Sequence, residues 1–120
     1  MGDALPYPGA SIEKDFGWAP AHPVVDAYRA LKPMPYDAPA SALAAVLYAV
    51  HPDEGFFKLS DPGTISVLDD GRTRLTPGAD GKHRYLIVGP ALKDVITTLY
   101  ATMVSAAPAP RPARGRGAQE

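Results

Sequence analysis

The side chains that could do chemistry are carboxylates, three histidines, six tyrosines and one tryptophan, with no cysteine. Among the carboxylates Asp37 stands apart. It closes the tetrad Met34-Pro35-Tyr36-Asp37, ahead of Ala38-Pro39 and the largely apolar run Ala40 to Val50. A carboxylate at the mouth of a helix can meet free N–H groups and the positive end of the macrodipole. It can also face a cleft and hold a hard cation. The residues alone leave both roles open. Tyr36 adjoins it; a phenol there could donate a proton or stack on a planar ligand, or be an ordinary core tyrosine. Trp18 lies in a loop-forming stretch, where an indole either covers a ligand or pins the loop.

The other acids have plainer explanations. Asp69, Asp70 and Asp80 fall in turn sequences. Glu13 and Asp15 lie in an irregular N-terminal stretch, and Asp53 and Glu54 follow a helix end. His22 and His51 each precede a proline at a helix boundary and read as structural. His83, between Lys82 and Arg84, reads as solvent-facing. The spacing of the histidines fits no metal site. A Walker loop, a dinucleotide-binding glycine fingerprint, a Gly-x-Ser-x-Gly elbow and a His-Glu-x-x-His helix are all missing from the sequence. Without cysteine there is no disulfide framework, thiolate zinc site or thiol nucleophile. A net charge of −1 gives no footprint for nucleic acid or an anionic membrane. No segment approaches the roughly 20 apolar residues of a membrane span.

These residues need elements to hold them. Residues 1–21 are rich in proline and glycine and read as irregular. Pro23 to Leu31 predicts a short helix, with Val24, Tyr28 and Leu31 on one stripe, ended by Lys32-Pro33. Pro39 to Val50 predicts a second helix, apolar on nearly every side; such a helix is buried on nearly every side, and a chain this short offers little to bury it against, a hint that partner elements are missing. Phe56 to Leu59 reads as a strand. Thr64 to Leu68 and Arg72 to Thr76 flank Asp69-Asp70-Gly71, a hairpin signal. His83 to Val88 predicts a strand with a central apolar end. Gly89-Pro90 opens a helix to about Ser105 with Leu92, Val95, Ile96, Leu99 and Met103 as its apolar stripe. From Ala106 the Pro, Ala and Arg content predicts disorder.

Taken in order, five stretches resemble the C-terminal part of an inosine–uridine-preferring nucleoside hydrolase of a bacterial branch. They are Gly2-Asp3-Ala4-Leu5-Pro6-Tyr7-Pro8, Met34 to Pro39, Leu43 to Val50, Asp61-Pro62-Gly63-Thr64 and Gly81 to Val88. The resemblance rests on their order and spacing, not on any one of them. It implies cleavage of the N-glycosidic bond of a ribonucleoside, and an open α/β fold whose calcium ion binds the ribose hydroxyls and a water. It implies that Asp37 is the metal-ligating aspartate contributed just before a helix. Tyr36 stands where many members have a histidine that assists departure of the base; with a pKa of about 10 it is a weaker acid than histidinium.

The resemblance also implies an acidic Asp-x-Asp-x-x-x-Asp-Asp cluster, which these residues lack. The expectation is therefore an α/β fragment of that fold: two short helices, a small antiparallel hairpin unit and a C-terminal helix over 1–106, then a disordered tail over 107–120. On its own it should be inactive. The implied partner is a nucleoside; homo-oligomer formation is open. Compartment would follow from whatever precedes Met1, cytoplasmic without an export signal and periplasmic or secreted with one. The reading from a different class is a small non-catalytic α+β interaction module using the hairpin and tail.

Overall fold

The computed structural model describes residues 4–111. The chain is mixed α and β, with four α-helices and two small antiparallel sheets among these residues. The helices are α1 (Gly9–Lys14), α2 (Pro23–Leu31), α3 (Ser41–Val50) and α4 (Lys93–Val104), the last led by a 3-10 turn over Pro90–Leu92. The strands are β1 (Lys58–Leu59), β2 (Gly63–Val67), β3 (Thr73–Pro77) and β4 (Leu86–Ile87). Among the described residues strand β1 pairs with β4 and β2 with β3, and Gly63 of β2 makes a further isolated bridge to His83. Residues 112–120, most of the expected disordered tail, lie outside the described residues.

Helix α2 spans the expected residues. Pro23 starts it at a position needing no N–H, and His22 Nδ1 accepts from the Val24 N–H at 3.2 Å as its cap. The hairpin also matches. The Leu68 amide donates to the Arg72 carbonyl at 2.8 Å, and Gly71, at φ 81°, takes the left-handed position that closes the loop. Beyond the turn, the Gly63 amide and carbonyl exchange 2.9 Å bonds with His83, and His83 Nδ1 accepts from the Ile65 N–H. Buried Ser60 holds the β1–β4 side: its hydroxyl accepts from the Tyr85 amide at 2.9 Å, and its carbonyl accepts from Arg84.

Four expectations are corrected. The N-terminal stretch is not wholly irregular, because it contains α1. Helix α3 begins at Ser41, not Pro39, and buries only Ala44 and Leu47, leaving Val46 and Val50 mostly exposed. The run ending in Val88 supplies a two-residue strand with one neighbour, and Ile87 stays exposed. The core gathers Leu5, Tyr7, Ile12, Phe16, Val25, Leu47, Ile96 and Tyr100 from the N-terminal segment and all four helices. The buried pair on α4 is Ile96 and Tyr100, while Val95 and Met103 face out. Trp18 pins its loop by donating from Nε1 to the Ser105 carbonyl at 2.8 Å, at the C-terminal end of α4.

The packing is open. The radius of gyration is 19.1 Å, against about 13–14 Å for a compact domain of this length.

Candidate functional site

Asp37 reaches its place through a short β-bridge. The Tyr7 amide donates to the Ala38 carbonyl at 2.8 Å, and the Ala38 amide to the Tyr7 carbonyl at 3.2 Å. This pairing lays Tyr36-Asp37 across the start of α1. Gly9, the first residue of α1, makes the approach possible: a Cβ there would collide with the Tyr36 backbone N, C and O. Asp37 Oδ1 then accepts from the Gly9 N–H at 2.9 Å. The carboxylate caps a helix, but that helix is α1, 28 residues earlier, rather than α3. Helix α3 has no side-chain cap. Among the described residues Asp37 Oδ2 makes no hydrogen bond, and the residue is exposed.

Tyr36 is fixed in the opposite direction. Its hydroxyl donates to the Tyr28 carbonyl at 2.7 Å, one of the last four carbonyls of α2, which lack partners within the helix. Its ring stacks on Tyr28 at 5.3 Å with 17° between planes, and Lys32 Nζ sits 4.4 Å above it. Tyr7 meets Tyr28 edge-on at 6.5 Å. The dipeptide Tyr36-Asp37 thus sends a donor to the end of α2 and an acceptor to the start of α1. The Met34–Pro35 peptide that precedes it is cis.

Behind this strap lies a largely apolar cavity of about 270 Å³, lined by Tyr7, Tyr28, Ile12, Leu43 and Val104 among others. That is near the small end of ligand pockets, about 300–1,000 Å³. Neither Tyr36 nor Asp37 lines it. Burial pushes the Tyr7 and Tyr28 phenols above their ordinary range, with the neighbouring phenols adding to the shift at Tyr28. A second groove, about 150 Å³, brings Glu13, Asp26, His22 and Arg29 to one rim. They make no hydrogen bond or ion pair with one another among the described residues. This juxtaposition spans α1 and α2, and no local spacing in the sequence signals it.

The His51 amide closes α3 by donating to the Leu47 carbonyl, and His83, exposed as expected, also clips the hairpin through Nδ1. Asp70 pairs with Arg72 at 2.7 Å on the surface, and that hydrogen bond holds its carboxyl below the usual range. Among the described residues no group of three or more His, Cys, Asp or Glu converges as a metal site. No helix of the described residues is long and apolar enough to cross a membrane. In comparison with known proteins, the chain matches no family model, no curated protein and no solved structure.

Proposed function

We propose that this chain is the C-terminal portion of a nucleoside hydrolase, an enzyme that cleaves the N-glycosidic bond of ribonucleosides, and that it is inactive by itself. On this reading the four helices and two small sheets belong to a larger open α/β fold. The observation that supports it is the state of Asp37. One oxygen is oriented by a backbone amide, the other is unengaged among the described residues, and the residue is exposed. Ligating carboxylates are commonly oriented in this way by a second hydrogen bond.

Calcium needs about 6–8 oxygens, and among the described residues no cluster of acids joins Asp37. The described residues therefore do not by themselves fit a calcium ion, and Asp37 is among them at most one donor to a shell completed from elsewhere. The Tyr36 proton is committed to the Tyr28 carbonyl, so a leaving-group role for Tyr36 requires that bond to open. The test mixes the chain with calcium and inosine and follows free hypoxanthine. No turnover is expected, and robust turnover would refute the inactivity. An in-frame acidic cluster upstream of Met1 would support the parent enzyme; an authentic start site directly before Met1 would favour the second reading.

That second reading is a non-catalytic α+β interaction module. It draws on the hairpin, where Ile65 is 43 % and Val67 73 % exposed with no layer covering them.

A further inference from the structure

We propose that His22 is a proton-operated clasp. Neutral, it ties the start of α2 to the Trp18 loop; protonated, it releases both and turns to the carboxylates of Glu13 and Asp26. Three contacts meet on this half-buried ring. Its Nδ1 accepts from the Val24 N–H at 3.2 Å, capping α2. It lies edge-on to Phe16, 4.7 Å between ring centres, and edge-on to Trp18 at 5.7 Å. Trp18 in turn donates to the Ser105 carbonyl at the end of α4. One imidazole therefore joins the first turn of α2 to the loop after α1 and, through Trp18, to α4.

The cap works in one protonation form of the ring. Nδ1 accepts only while bare, so the single proton of the neutral ring sits on Nε2. A second proton sets an N–H on Nδ1 against the Val24 N–H, donor facing donor. It also sets a positive charge at the positive end of the α2 dipole. The capped arrangement carries one ring proton and the released arrangement two, so acid favours release. An ordinary imidazole takes up that proton near pH about 6.5.

The neighbouring groove gives the ring somewhere to turn. It holds about 150 Å³ beside His22, with Glu13 from α1 and Asp26 and Arg29 from α2 on its rim. Two carboxylates against one guanidinium leave a negative charge that an imidazolium balances. Lys14 and Asp15 lie off this groove, and α4 brings no charge from Val95 to Ser105. Phe16 lines the groove and Trp18 does not, so the turn keeps the first aromatic contact and gives up the second. His83 makes the same kind of bond without the same consequence. Its Nδ1 accepts from the Ile65 N–H at 3.2 Å, but two backbone bonds to Gly63 at 2.9 Å hold that pair whatever the ring carries. The clasp does not depend on the nucleoside reading.

Trp18 is the one tryptophan of the chain, so acrylamide quenching and a single indole N–H resonance report the clasp in the full chain. The range to scan is about pH 7.5 to about pH 5, above the ordinary carboxylate values near 4. Toward the acid end the wild type should quench more strongly, and its indole N–H should lose the shift of a hydrogen-bonded proton. Corrected for intrinsic rates, the Val24 amide should lose about fivefold in protection from exchange, the factor a typical cap is worth. His22→Asn keeps an acceptor and cannot titrate, so its Trp18 signals should stay flat; His83→Asn should respond as the wild type does. A further readout needs no variant to fold: ring-nitrogen shifts of the wild type at neutral pH should place the His22 proton on Nε2. A flat wild type, a response that survives in His22→Asn or vanishes in His83→Asn, or a neutral-pH proton on Nδ1 would each overturn the proposal.

Discussion

Replacing Asp37 separates the hydrogen bond it makes from the charge it carries. Asp37→Ala leaves the Gly9 N–H without its acceptor at the start of α1. Loss of such a cap costs about 1 kcal/mol, within a range of about 0.5–2. The exposure of Asp37 puts the charge–dipole part at the low end, about 0.3 kcal/mol. Asn retains a carbonyl acceptor, so Asp37→Asn should lose only that smaller part. The two variants should differ by about 0.7 kcal/mol, or some 3–5 °C in Tm for a domain near 100 residues. The single Trp18 reports the transition, because its indole ties the loop after α1 to the end of α4. Gly9→Ala gives the complementary perturbation. Alanine gains about 1 kcal/mol in helix propensity, but its Cβ meets the Tyr36 backbone, an overpacking of about 1–3 kcal/mol or more. A net loss is therefore expected. Equal stability of Asp37→Ala and the wild type would refute the cap. If Asp37→Asn were as damaging as Asp37→Ala, the stabilisation would be charge and not hydrogen bonding. A stabilised Gly9→Ala would show that the strap does not lie on α1.

Further outcomes follow from the same contacts. Tyr100→Phe removes a buried hydroxyl that has no partner among the described residues and should be neutral or stabilising by up to about 1–3 kcal/mol in urea denaturation; a clear loss would expose a hidden partner. His22→Ala should cost about 1 kcal/mol by uncapping α2, and His22→Asn should restore most of it. Tyr7, Tyr28 and Tyr100 are raised above the ordinary phenol range, chiefly by burial. The unfolded chain then ionises first, so stability should hold below pH about 10 and fall as pH rises through the folded-state values. A urea midpoint unchanged between pH 8 and pH 11 would contradict that. Calorimetry with calcium should show no saturable binding by the isolated chain, since among the described residues no cluster of three or more His, Cys, Asp or Glu forms around Asp37.

Elements whose signals are local were legible in the sequence. Helix α2 carries its own start at Pro23 and stop at Lys32-Pro33. The hairpin carries Asp-Gly in its loop, with Gly71 in the left-handed position. Helix α1 was not legible. Six residues are too few to nucleate a stable helix alone, and its capping carboxylate comes from the far side of α2. The same fact explains Asp37. That it sits at a helix end could be read from its context, but not which helix, because the Tyr7–Ala38 bridge decides that. The apolar run of α3 gives the burial it could support, not the burial it finds; with one side unpartnered, Val46 and Val50 stay wet. The apolar stripe read for α4 includes Ile96, which is buried, but runs on to Met103 rather than to Tyr100, whose phenol gave it no place in a stripe drawn from aliphatic residues.

On the proposed function, the Asp37 carboxylate belongs to a nucleoside-cleaving site completed by acids outside these residues. The direct measurement is calcium-dependent release of hypoxanthine from inosine by a polypeptide that joins this segment to the acidic cluster, compared with its Asp37→Asn form. Asparagine keeps the cap on α1, so folding is held nearly constant while the carboxylate is lost. The account predicts turnover in the first and its near-abolition in the second, with similar thermal stability. Undiminished turnover by the Asp37→Asn form would reduce Asp37 to a helix cap, and no turnover by either would contradict the hydrolase assignment itself.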